Sequence, residues 1–211
     1  MTQDLERVVA AQPRRSLSGR YWHQGPTQRP FTDLPVLAKT HGRYHVGGGA
    51  GVWYASSQEQ AAWAELFRHF LHDEVDPFEV RRRVGHVDVE ELTVLDLTDV
   101  AIRSALHVTE ADLVGDDYAV TQRIADAASS AGFQGILAPS AALENRTTLV
   151  VFASGMDALS PGPSLVRPPP PRMADLLGMI RPHPDVPETV RRLLHALGVS
   201  GSEAVRRMRR R

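Results

Sequence analysis

The chain has 211 residues, of which 42% are hydrophobic and 23% charged, so it is long enough to bury one ordinary core. A formal net charge of -1 gives no general attraction to nucleic acid or to an anionic membrane, and the lack of cysteine excludes disulfides, thiol nucleophiles and cysteine-bound zinc. Because no apolar signal region opens the chain and no stretch reaches roughly 18 apolar residues, we expect a soluble, cytoplasmic protein without membrane contact.

The first 40 residues are predicted to contain one short helix and one strand. Residues 1–16 form an N-terminal segment in which Pro13 ends the helix. Residues 18–23 read as a strand that carries the pair Arg20-Tyr21, and a half-buried edge strand alone would explain this pair. Three prolines then interrupt residues 24–40, which predicts a loop at the rim of a pocket.

The next stretch, residues 41–72, joins a glycine-rich loop to a short strand and a helix. Arg43 precedes the loop, and Tyr54 lies in the strand. Ser56 and Glu59 have capping-box spacing, which places the start of the helix. A helical wheel puts Glu65 opposite the apolar side, so that position alone predicts an ordinary solvent-facing glutamate.

Strands and helices alternate irregularly in the middle of the chain. Strands are predicted near residues 84–89 and 93–97, and a helix over about 115–131 begins with paired carboxylates that act better as a cap than as a metal site. Two further strands flank the loop 139–147, in which Ser140 is a candidate ligand contact. This pattern predicts a mixed α+β fold.

The composition changes near residue 154. Residues 154–172 are rich in proline and predict an extended linker, and residues 173–211 predict a basic helical tail. A basic tail can hold an acidic partner or nucleic acid, but an end that is disordered or stabilised by a partner is the commoner case. We therefore expect truncation after about Leu159 to leave the fold standing.

Several pieces of the chain, taken in order, resemble the RES-domain family, the toxin halves of bacterial toxin–antitoxin pairs. The likeness covers about residues 17–153, which would be the catalytic domain. It rests on Arg20-Tyr21, Gly42-Arg43-Tyr44, Tyr54-Ala55-Ser56, the helix with Glu65, and the later stretches HVDVEELTVLDLTD, GDDYAVTQRIADAA, GFQGILAPSA and TTLVVF. The resemblance implies an ADP-ribosyltransferase-like fold of mixed sheets with flanking helices, followed here by the helical tail.

The resemblance also implies NAD as the substrate, with no metal, and cleavage of its nicotinamide–ribose bond. Such cleavage builds a cation on the ribose, which a fixed carboxylate stabilises. Glu65 and Arg20 would be the catalytic residues, and the side chains that bind NAD would be Arg20, Tyr21, Arg43 and Tyr54. Ser140 is added to the NAD-binding residues because of its place in the polar loop after a strand. Ala119 stands where the family pattern has a serine, so Thr121 or Ser140 would have to supply that hydroxyl.

The resemblance leaves the acceptor of the ADP-ribose open. The main interpretation is a toxin that degrades NAD by hydrolysis or phosphorolysis and that forms an oligomer with a neutralising helix-turn-helix antitoxin. The alternatives are mono-ADP-ribosylation of a protein, or a catalytically silent module that binds NAD or a partner. The chain has no GxGxxG after a strand, no P-loop and no HExxH, which disfavours a dehydrogenase, a nucleoside triphosphatase and a zinc protease.

Overall fold

The computed structural model describes residues 2–34, 41–72, 80–169 and 179–181. Six strands and five α-helices make up this part of the chain, and a 3-10 helix precedes the last strand. In chain order they are α1 (Thr2–Ala10), β1 (Arg15–Gly25), β2 (Trp53–Ser56), α2 (Glu59–His72), β3 (Arg82–Asp96), α3 (Val100–Ala105), α4 (Glu110–Val114), α5 (Ala119–Ser130), β4 (Gly135–Pro139), β5 (Thr147–Val151), the 3-10 helix (Ala153–Ala158) and β6 (Leu159–Arg167).

The strands form one sheet in the order β1-β2-β5-β4-β3-β6, and β1 also pairs with β3. The second pairing closes β1, β2, β5, β4 and β3 into a ring, with β6 attached outside it along β3. Only β3 and β4 run parallel, while the other pairs are antiparallel. Strand β3 can pair with three neighbours because it is 15 residues long. The predicted α+β class is confirmed.

Three groups of buried side chains hold the described residues together. One lies between α5 and the sheet and includes Ile124, Phe133 and Ile136. A second group contains Tyr21 and Trp53 together with apolar side chains from every strand of the ring and from β6. The third packs α2 against the loop after β4. Each large apolar side chain buried in this way stabilises the fold by about 1.5–3 kcal/mol.

Helix α2 is buried on more sides than its wheel predicts. Ala61, Ala62, Trp63, Ala64, Leu66, Phe67 and Arg68 are all buried. Trp63 and Phe67 pack in the third core group, as the wheel predicts. Side chains outside this apolar side are covered as well, because Glu65 bonds Ser140 and Thr148 and Arg68 bonds Asp116, which the wheel cannot show. Glu65 therefore faces a partly enclosed space, and the predicted solvent-facing position is wrong.

The C-terminal part of the chain joins the sheet earlier than predicted. The structure has a 3-10 helix and strand β6 where the sequence predicted a linker over 154–172. Pro161 and Pro163 lie in β6, which pairs only with β3 among the described strands, and an edge strand tolerates proline. Of the predicted tail 173–211, only residues 179–181 are described, so its predicted helices lie outside the described residues. No helix in the described part is both long and apolar enough to cross a membrane.

Candidate active site

A cavity of about 750 Å³ opens beside β2 and α2, within the range of small-molecule sites. The end of β1 and three loops complete its wall, and these loops include residues 26–33, 41–45 and 139–141. The side chains in this wall that can recognise a ligand by charge, hydrogen bonding or ring stacking include Trp22, His23, Arg43, Tyr44, His45, Trp53, Tyr54, Glu65, Arg68 and Tyr118. Three of the predicted site residues, Arg43, Tyr54 and Glu65, are therefore brought together.

One oxygen of the Glu65 carboxylate is fixed by the chain that follows β4. Ser140 Oγ donates a hydrogen bond to Glu65 Oε1 over 2.8 Å. The backbone N–H of Ala142 and the hydroxyl of Thr148 donate longer bonds to the same oxygen, each over 3.4 Å. No described residue donates to Oε2. The carboxylate is thus oriented through one oxygen, and the other remains open to a ligand.

Ser140 belongs to this arrangement as a support for Glu65. Its side chain is buried, and its hydroxyl oxygen accepts bonds from the backbone N–H groups of Ala142 and Leu143, both over 3.2 Å. Because the hydroxyl proton already goes to Glu65, the geometry favours a positioning role over a nucleophilic one. Ala119, by contrast, is exposed at the start of α5 and does not line the cavity. The hydroxyl of Thr121 donates a hydrogen bond to the backbone carbonyl of Arg43 and makes none to Glu65.

Arg43 lines the cavity, but much of its guanidinium is held by the protein. Its Nη1 donates to the carbonyl of Leu113 over 3.0 Å and to that of Gly115. The group lies 4.7 Å from the centre of the Tyr118 ring, and Nη2 is 3.9 Å from Asp116 Oδ1. Arg43 was predicted to bind NAD, and the guanidinium donors other than those of Nη1 remain for that purpose.

Arg68 is a cavity residue that the sequence analysis missed. Its Nη2 donates to Asp116 Oδ1 over 2.6 Å, and its Nη1 donates to the carbonyl of Ala141 over 3.1 Å. The Nε of Arg68 and the hydroxyl of Tyr44 are buried without a hydrogen-bond partner among the described residues. An unpaired buried donor is costly, so both groups are suited to a ligand that accepts hydrogen bonds. The helical wheel contained a signal for this residue, because it places Arg68 on the same side of the helix as Glu65.

Tyr54 is held by its hydroxyl against the loop 41–52. That oxygen accepts a bond from the backbone N–H of Tyr44 over 3.1 Å and lies 3.0 Å from His45 Nδ1. Burial raises the pKa of both tyrosines above the ordinary value, so both stay neutral at pH 7. Tyr54 thus offers a neutral aromatic wall in a fixed orientation.

His23 is a second cavity residue that the sequence analysis missed. Its Nδ1 lies 2.6 Å from the carbonyl oxygen of Tyr54, and because a carbonyl only accepts, Nδ1 must carry the proton. Its ring packs 4.6 Å from that of Trp53 and 5.2 Å from that of Phe31. Burial lowers the pKa of His23 to about 4. At neutral pH the imidazole is therefore uncharged, and its Nε2 can only accept a hydrogen bond.

Arg20 and Tyr21 are not brought to the cavity. Arg20 forms an exposed ion pair with Asp88 on β3, with Nε 2.8 Å from Oδ1 and Nη2 3.0 Å from Oδ2. Tyr21 is buried among core side chains of the ring of strands. Arg20 and Tyr21, which were predicted to bind NAD, therefore do not join Arg43 in the cavity wall. A register shift between Leu17 and Gly19 precedes this stretch, and the β1 residues that reach the cavity begin at Trp22.

Comparison with known proteins finds a relative that matches nearly the whole chain. A protein of Mycobacterium tuberculosis H37Rv called "Probable NAD(+) phosphorylase Rv3189" is 57% identical over 206 residues, which cover 98% of this chain and 99% of that protein. "NAD(+) phosphorylase MbcT" of Mycobacterium bovis is 38% identical over 63 residues, 30% of this chain and 34% of its own length.

The fold is also similar to a solved structure, the M. tuberculosis MbcT–MbcA toxin–antitoxin complex. The TM-score is 0.69 at 24% identity, over 78% of this chain and 92% of the chain in that structure. The sequence profile of the RES domain matches residues 12–168, a longer range than the motifs alone indicate. The match spans most of the chain and includes the strands, the helix with Glu65 and the loop with Ser140, so the chain belongs to the RES-domain family.

Proposed function

We propose that this protein is an NAD phosphorylase, which transfers ADP-ribose from nicotinamide to inorganic phosphate. The observation that carries the proposal is Glu65, whose carboxylate is fixed by Ser140 on one oxygen and open on the other in a cavity of ligand size. The relative that matches nearly the whole chain bears the name of this activity. Family membership further supports NAD as the substrate.

The chemistry requires one carboxylate beside the ribose. The bond between nicotinamide and ribose breaks, and its electron pair goes to the pyridinium nitrogen, which becomes neutral. A phosphate oxygen forms the new bond to the anomeric carbon, and positive charge passes through the ribose between these events. Glu65 stabilises that charge and holds the ribose hydroxyls through Oε2. The products are nicotinamide and ADP-ribose 1″-phosphate.

Other cavity residues are proposed to hold the two ends of NAD. The positively charged nicotinamide ring is attracted to aromatic faces, which Tyr54, Trp22 and Trp53 supply in the wall. The pyrophosphate needs donors and positive charge, and Arg43 is the proposed source. His23 adds a neutral acceptor for a hydroxyl or amino group. Arg20 is left out of the proposed site because it does not line the cavity.

We also propose that an antitoxin binds this protein and blocks the cavity. The solved structure of similar fold is a toxin bound to its antitoxin, which supports a partner of that kind. More specifically, we propose that this antitoxin is of the helix-turn-helix type and that it forms an oligomer with this protein. An intact cell would need such a partner, because free enzyme would deplete its NAD.

The experiment that tests the activity measures nicotinamide released from NAD by the purified chain, with and without phosphate. Release that depends on phosphate supports phosphorolysis. Equal release in phosphate-free buffer would show that water is the acceptor, and release with labelling of a protein would show ADP-ribosyl transfer. Glu65→Gln serves as the matched control, because it keeps the shape of the side chain and removes its charge. Intact NAD in every condition would refute the proposal.

A further inference from the structure

A short piece near the C-terminus returns to the loop that holds Glu65. Residues 179–181 lie beyond residues 12–168, the range of the family match. Ile180 is buried in the same core group as Trp63 of α2, and it forms an isolated β-bridge with Leu143. Met179, its neighbour, is 63% exposed. The contact is therefore made by one side of this piece, and it is apolar at its centre.

Arg181 adds polar contacts to the same loop. Its backbone N–H donates to the carbonyl of Ala142 over 2.9 Å, and its Nη1 donates to the carbonyl of Ser140 over 3.3 Å. Its guanidinium also lies 3.5 Å from Glu110 and 3.7 Å from Glu144. Both carboxylates are at least half exposed, so these ion pairs add little by themselves.

Three consecutive carbonyls of this loop are held from two sides. Arg181 donates hydrogen bonds to the carbonyls of Ser140 and Ala142. Arg68 of α2 donates to the carbonyl between them, that of Ala141. Two of these three residues, Ser140 and Ala142, supply the hydroxyl and the N–H that bind Glu65. The position of the loop therefore decides where the carboxylate is held, and residues 180 and 181 help to set the position of the loop.

We propose that Ile180 and Arg181 are positioning residues, which clamp the loop 140–143 so that Ser140 and Ala142 hold Glu65 in its working orientation. This inference rests on the proposed function for its catalytic part. Misplacement of a catalytic group by about 1 Å can cost about a hundredfold in rate. The clamp acts on this step and contributes no group to the ligand.

The test uses full-length variants. Arg181→Ala removes the guanidinium, Ile180→Ala removes most of the buried side chain, and Met179→Ala is the matched control. Hydrogen exchange of the amides of Ala142 and Leu143 reports the loop without any need for activity. Steady-state rates with NAD and phosphate separate kcat from KM, and circular dichroism shows whether each variant is folded. Arg181→Lys and Ile180→Leu test rescue.

We expect faster exchange at both amides and a fall of about tenfold in kcat for Arg181→Ala, while KM for NAD changes less than about twofold. Ile180→Ala is expected to act in the same direction, the two conservative variants to recover part of the rate, and Met179→Ala to match the parent. If Ile180→Ala does not fold, Arg181→Ala decides.

Unchanged exchange in folded Arg181→Ala would overturn the clamp. So would faster exchange with the parent kcat, or a change confined to KM. A parent protein that leaves NAD intact would refute the proposed function and the catalytic part of this inference with it. The exchange result would then still decide whether the contact holds the loop.

Discussion

Replacing Ser140 by alanine tests the support of Glu65 in isolation. The substitution removes the donor that lies 2.8 Å from Glu65 Oε1, and the hydroxyl that accepts from the N–H groups of Ala142 and Leu143. A hydrogen bond to a charged group contributes about 1.5–3 kcal/mol. If the carboxylate is needed mainly in the transition state, that range corresponds to a loss of about 10- to 150-fold in kcat.

The assay follows nicotinamide release at saturating NAD and phosphate for the parent and for Ser140→Ala. Ser57→Ala is the matched control, because Ser57 Oγ also accepts a backbone bond, from Thr147 over 3.2 Å, without contacting Glu65. Thermal unfolding of both variants separates lost stability from lost rate. A Ser140→Ala enzyme that turns over as fast as Ser57→Ala would refute the argument that this hydroxyl orients the carboxylate.

Three other perturbations follow from the structure. Arg20→Ala should leave NAD turnover and the melting temperature close to those of the parent, because Arg20 lies in an exposed ion pair away from the cavity. A strong loss of turnover would show that Arg20 belongs to the active site. The sequence alone predicted that a chain cut after Leu159 keeps its fold, but the structure reverses this expectation: such a chain lacks β6 and the buried Ile180 and should be insoluble or unfolded. A folded product in size-exclusion chromatography would contradict this. Burial lowers the pKa of His23 from 6.5 to about 4, so between these pH values the unfolded state binds more protons than the folded state. The free energy of unfolding should therefore fall as the pH drops through this interval. Urea unfolding of the parent and of His23→Phe should show a flatter dependence on pH in the variant.

Most of the elements up to β5 could be predicted from the sequence in their order, and Glu65 could be named as a candidate, but the surroundings of Glu65 could not be predicted. Glu65 was identified from the resemblance, and the wheel correctly put it away from Trp63. The wheel treats every position outside the apolar side as open to solvent. Here the loop with Ser140, 75 residues further along the chain, covers that side, and no local pattern predicts such a contact.

The first strand shows a different limit. The sequence Arg20-Tyr21-Trp22-His23 cannot show which of these residues meet the cavity, because that depends on how far along the strand the cavity opens, and only the register of the sheet fixes this. The shift between Leu17 and Gly19 changes that register. In the structure, Trp22 and His23 line the cavity, and Arg20 and Tyr21 do not. An aromatic residue beside a histidine at the end of a predicted strand was the available signal.

The C-terminal part was predicted poorly because composition was given too much weight. Prolines suggested a linker, yet an edge strand accommodates them, and β6 pairs with β3 from Arg82 to Val89. Ile180 ends a stretch, residues 173–180, whose apolar residues predict a short helix but do not show which surface it packs against. Its burial depends on Trp63 and Leu143, which are distant in the sequence. Long-range packing of this kind decides the boundary of the domain.

The most direct test of the account is the fate of phosphate labelled with ¹⁸O in all its oxygens, followed by mass spectrometry during NAD turnover. The proposed phosphorolysis predicts nicotinamide together with ADP-ribose 1″-phosphate that keeps every labelled oxygen, because a phosphate oxygen attacks the ribose and no bond within the phosphate breaks. It also predicts no such product from Glu65→Gln, folded as the parent. Unlabelled ADP-ribose as the product would contradict phosphorolysis, and parent-like turnover by Glu65→Gln would contradict the role of the carboxylate.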